Sequence, residues 1–124
     1  MNILQATEDP QLFDRWFKDR ETWATWFAFL CALFALPMTG EQLATYLRCT
    51  GRTALPTERF NEAWLICGRR AGKSFILALI AVFLATFFNW RPYLSPGESG
   101  FIIIIAADRR QARTIFRYLK ALLV

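Results

Sequence analysis

Apolar positions recur at helical spacing through the first half of the chain and gather into short continuous runs in the second. Asp9-Pro10 reads as a helix start with proline at the first helical position, followed by Phe13, Trp16 and Phe17 at spacings of three and four. Asp19 or Thr22 is placed to cap a second helix carrying Trp23, Trp26, Phe27, Leu30, Leu33 and Phe34, which Pro37 closes. Thr39 and Gln42 form a capping-box pair ahead of a third helix, with Leu43, Tyr46 and Leu47 on one face and Gly51 as its stop. Residues 50–58, with Gly51 and Pro56, read as a connector. From Ala63 the pattern changes. Ala63-Trp64-Leu65-Ile66-Cys67 and Phe101-Ile102-Ile103-Ile104-Ile105-Ala106-Ala107 are apolar runs of the kind found in strands covered on both faces. Between them residues 73–89 read as an apolar helix, and residues after Asp108 as an amphipathic one.

This order predicts an α-helical N-terminal segment, residues 1–58, followed from residue 59 to 124 by the start of an α/β domain. Its β-loop-α-β core would have strands 63–67 and 101–107 parallel, adjacent or next but one, joined by a right-handed crossover through the helix 73–89. The aromatic helix 23–38 is expected to lie against that sheet or its edge.

With 124 residues, 55% of them hydrophobic and 16% aromatic, the chain is far too apolar for intrinsic disorder. It is also richer in Phe and Trp than a domain of this size easily hides, so some apolar surface is expected to meet a partner. The absence of histidine excludes imidazole catalysis and His-ligated metal sites. Cys31, Cys49 and Cys67 stand 18 residues apart each time, a spacing that suits no metal, and they read as reduced packing residues. The net charge of +5 is uneven: residues 1–22 hold three basic and five acidic groups, whereas residues 91–124 hold six and two. The 17 uncharged positions from Ser74 to Trp90 raise a membrane question, but a spanning helix takes about 20 apolar residues. No signal peptide is visible, because the first 14 residues are polar and acidic.

The chemistry-bearing segment is Cys67-Gly68-Arg69-Arg70-Ala71-Gly72-Lys73-Ser74. It fits the phosphate-loop pattern G-x-x-x-x-G-K-S/T at every fixed position but the first, where Cys67 replaces Gly. Such a loop cradles a triphosphate with backbone N–H groups and needs small residues such as Gly68, Ala71 and Gly72 where the chain approaches the phosphates. Lys73 would reach the β- and γ-phosphate oxygens, the Ser74 hydroxyl would ligate Mg²⁺, and the following helix would turn its positive end to the same anion. An accidental Gly-Lys-Ser turn is the plain alternative. Arg69 and Arg70 are candidates to stabilise charge on a transferring phosphoryl group, or else a solvated or Asp-paired surface pair.

The same residues resemble a known family. Gly68 to Ser74, preceded by Glu62 to Ile66 and followed by Ile103 to Arg113 with its Ala107-Asp108-Arg109-Arg110-Gln111-Ala112 stretch, is similar to the N-terminal ATPase region of tailed-phage terminase large subunits. The run 23–38 and Thr50 to Pro56 extend the resemblance to about residues 20–124. It implies an ATP-driven motor that threads double-stranded viral DNA into a preformed capsid in the bacterial host cytoplasm. ATP and Mg²⁺ are its implied cofactors, and the small subunit, the portal and further copies of the large subunit its implied partners. It implies nucleotide contacts over Gly68 to Phe75, catalytic roles for Lys73 and Arg69, and nucleic-acid or coupling roles for Asp108, Arg109, Gln111, Arg113 and Arg117.

Asp108 reads equally as the N-cap of the last helix. That helix sets Ala112, Ile115, Phe116, Leu119, Leu122 and Leu123 on one face and Arg109, Arg113, Arg117 and Lys120 on the other, a stripe suited to DNA phosphates or to plain solvent. A competent ATPase also needs a second carboxylate at the end of a later apolar strand, and none is present. The chain is therefore expected to be the N-terminal fragment of a motor, binding nucleotide without turnover. Another phosphate-loop NTPase of helicase or transport type, or a small membrane-associated protein without nucleotide chemistry, are the alternatives.

Overall fold

The computed structural model describes all residues, 1–124, and contains helices and irregular segments with no β-strand. The α/β core expected from the sequence is thereby corrected, together with its parallel strands and right-handed crossover. Residues 63–67 and 101–107 form no ladder, and none of their backbone groups is hydrogen-bonded. Far from being covered on both faces, Trp64, Ile66, Phe101, Ile103 and Ile105 are 80% exposed or more. The physical reason lies in what a strand is. Apolar, β-branched composition makes a segment competent to pair, but a strand exists only where a neighbour accepts its N–H and C=O groups.

The chain divides into two compact units, Met1–Ile66 and Cys67–Val124, where the sequence placed the division after residue 58. The first holds α1 (Ile3–Glu8), α2 (Ala24–Leu33) and α3 (Gly40–Thr50). α1 begins six residues before the expected start at Asp9 and is opened by a reciprocal box, in which the Gln5 N–H donates to Asn2 and the Asn2 N–H to the Gln5 side chain. Asp9 instead ends α1, and its carboxylate accepts from the Gln11 N–H in a local turn that carries Pro10. Phe13, Trp16 and Phe17 therefore sit on a turn and a short 3-10 segment, Asp14–Trp16, that still buries both phenylalanines.

α2 has no side-chain cap; Asp19 and Thr22 bond each other ahead of it. It stops three residues short of Pro37. Ala35 adopts a left-handed φ of 51°, and the N–H groups of Ala35 and Leu36 donate to the carbonyls of Ala32 and Cys31. This closing motif usually carries glycine. With no sheet to meet, α2 packs on α1, α3 and the turn between: Phe17, fully buried, meets Trp23 edge-on at 5.1 Å and Phe27 at 5.8 Å. Arg20 seals this cluster. Its guanidinium lies 4.2 Å over the Phe27 ring, donates to the backbone and hydroxyl of the buried Thr7, and pairs with Glu8 at 3.3 Å. Burial pushes the Cys31 thiol up from its ordinary value, in keeping with its place under α3 beside Gln42. Cys49, by contrast, is exposed, so it is not a packing residue.

α3 follows its sequence signals residue by residue. The Gln42 N–H donates to the Thr39 hydroxyl, the Gln42 side chain accepts from the Thr39 N–H, and Gly51 closes the helix at φ 68°. Thr39→Ala is expected to lower the unfolding free energy by about 1 kcal/mol, the usual worth of an N-cap hydroxyl, as read by urea denaturation.

The second unit packs α4 (Lys73–Phe87) against α5 (Arg109–Leu123). α4 buries Ile76, Ala78, Leu79, Ala81, Val82 and Phe83. On the expected apolar face of α5 Leu122 is buried, whereas Phe116 and Leu123 stay more than half exposed. No helix is long and apolar enough to cross a membrane.

Candidate phosphate-binding loop

The loop joins an irregular stretch to the first turn of α4. Arg69 and Arg70 form a turn, Arg70 takes a left-handed φ of 58°, and Gly72 at the N-cap takes φ 82°. For a non-glycine residue that conformation costs on the order of 1 kcal/mol. Gly72 adopts it freely, which is the physical role of this glycine. Alternating handedness over Arg70 and Gly72 is the backbone arrangement that turns successive N–H groups toward one point. No side chain caps α4, whose 15 residues bring a full helix dipole to this end.

Lys73 and Ser74 are the first two residues of α4. Gly68, Arg69, Arg70, Ala71 and Lys73 are exposed and Ser74 is half-buried. Neither arginine, nor Lys73, forms an ion pair, so of the two plain readings for Arg69 and Arg70 the structure has the solvated one and not the Asp-paired one. A Cβ added at Gly68 would meet only open space, so the fold itself makes no demand for glycine there. Phe75, placed by the sequence among the nucleotide contacts, turns its half-buried ring edge-on to Tyr118 of α5 at 5.4 Å. Tyr118 is the residue that sequence reasoning missed. It belongs neither to the apolar face nor to the basic stripe read along α5, and nothing in its spacing marks it as the prop behind the loop.

No cluster of three acidic or cysteine side chains able to hold a metal exists. The loop fits a phosphate group, through its turned backbone, uncapped helix end and unpaired Lys73. It fits Mg²⁺ only as an ion carried in by phosphate oxygens, with Ser74 as the single protein ligand on hand.

Asp108 is the N-cap of α5, its carboxylate accepting from the Gln111 N–H at 2.9 Å. Arg109, Arg113, Arg117 and Lys120 are all exposed, and none forms an ion pair; Arg117 donates only to the Thr114 hydroxyl of its own helix. Compared with known proteins, the chain matches no protein-family model, no curated protein and no solved structure.

Proposed function

We propose that the loop Gly68 to Ser74 binds the phosphates of ATP. The observation that carries this reading is the left-handed pair Arg70 and Gly72 leading into an uncapped α4 with Lys73 and Ser74 in its first turn. Backbone N–H groups and the helix end hold the anion, the Lys73 ammonium meets the terminal phosphates, and Arg69 lies exposed beside them. Mg²⁺, when bound with the nucleotide, neutralises phosphate charge. None of these groups depends on a sheet, and all belong to one short segment.

On the resemblance of residues 20–124 to terminase large subunits, the wider role is the ATP-binding part of a viral DNA-packaging motor. Its partners are then double-stranded DNA, the small subunit, the portal and further copies, in the host cytoplasm. The exposed stripe of Arg109, Arg113, Arg117 and Lys120 suits DNA phosphates. Hydrolysis would need in addition a carboxylate that organises Mg²⁺ and a group that positions water.

Titration of the chain with a fluorescent ATP analogue in Mg²⁺ tests the reading. Saturable binding displaced by ATP and by pyrophosphate, but not by adenosine, is expected. Displacement by adenosine alone would place recognition on the base and overturn the phosphate assignment.

A further inference from the structure

The segment Phe101 to Ala107 has three properties that belong together. Its backbone N–H and C=O groups have no hydrogen-bond partners. Its exposure alternates: Ile104 is half-buried and Ile102 51% exposed, and both border an apolar groove of about 290 Å³ with Val82, Ala85 and Leu119, whereas Phe101, Ile103 and Ile105 are 85%, 80% and 90% exposed. It is also seven residues of β-branched, aromatic and small side chains with no charge, proline or glycine, the composition of segments that pair between chains. A period of two in exposure means that one side of the segment lies partly covered along the groove while its edge and outer side face solvent.

We propose that this segment pairs antiparallel with the same segment of a second copy of the chain. The flanking charges select both partner and direction. Pairing about Ile104 sets Ile103 against Ile105, Ile102 against Ala106 and Phe101 against Ala107, and brings Glu98 of one copy to the Arg109-Arg110 end of the other. A parallel, in-register pair would instead stack Glu98 on Glu98 and Arg110 on Arg110. Antiparallel addition satisfies the unmade backbone bonds, keeps α4 and α5 of both copies on one side, and joins the two Phe101, Ile103, Ile105 rows into one apolar ridge. This surface is separate from the nucleotide loop, so the two readings stand or fall independently.

Sedimentation velocity over a range of concentrations, with infrared detection of an intermolecular antiparallel β band, tests the pairing on the full chain. The expected result is association with that band, weakened at least about tenfold in Kd by the double variant Ile103→Lys, Ile105→Lys. Both side chains are exposed, so helical circular dichroism should be unchanged. Glu98→Arg should weaken association too, and adding Arg110→Glu should restore it, while Lys73→Ala leaves it as it was. A monomer at every concentration, association without the β band, or association indifferent to the double lysine variant would each overturn the proposal.

Discussion

Lys73→Ala is expected to weaken binding of a fluorescent ATP analogue by about two orders of magnitude, beyond ready detection, while leaving the fold intact. Two features of the structure set this result. Lys73 is exposed and engaged in no ion pair, so its removal costs the folded chain nothing of note. It is also the one ammonium in the first turn of α4, and a charge-assisted contact to phosphate is worth about 1.5–3 kcal/mol, or about ten- to a hundredfold in affinity. The backbone donors and helix end remain in the variant but carry only partial charges. Cys67→Gly, by contrast, should bind as the wild type does or better, since glycine is the residue that the loop pattern calls for at that position. Equal affinity of wild type and Lys73→Ala would show that the loop is not a nucleotide site.

Phe17→Ala should destabilise the first unit by about 3–5 kcal/mol, the range for emptying a buried aromatic site. Phe17 is fully buried and lies between Trp23 and Phe27, the latter capped by Arg20. The residual space is lined by rigid rings that collapse poorly, which places the cost toward the upper end. Against a total stability of about 5–15 kcal/mol for a small domain, that loss is a large share. Urea unfolding followed by tryptophan fluorescence should show the midpoint fall steeply, with Trp23 as the reporter in direct ring contact. A shift no larger than that of Thr39→Ala would mean that the cluster is not the core of this unit. Lys73→Ala measured alongside should leave the midpoint in place, separating loss of the site from loss of the fold.

How much of this protein the sequence alone determines depends on the range over which each signal acts. The capping box at Thr39 and Gln42, the left-handed stop at Gly51, the Asp108 cap and the apolar run of α4 appear where the sequence places them. The two caps and the glycine stop are each settled within about one helical turn, by a side chain meeting nearby backbone or by a residue free to take a positive φ, and the apolar run of α4 by its own composition. The turn into α4 is likewise local: Gly72 takes a φ of 82° that glycine adopts without strain. Signals that serve two purposes leave the sequence ambiguous. Asp9-Pro10 can open a helix or close one, and the reciprocal box at Asn2 and Gln5 decides for closing. Pro37 bounds α2, but the left-handed Ala35 ends it earlier. What only the tertiary structure decided is the fate of residues 63–67 and 101–107. Their composition makes them competent to pair, yet strand formation is a property of two segments rather than one. Each backbone donor needs an acceptor on a neighbour. The same holds for Tyr118 behind Phe75 and for Arg20 on Thr7, contacts between residues well separated in the chain that no spacing along it encodes.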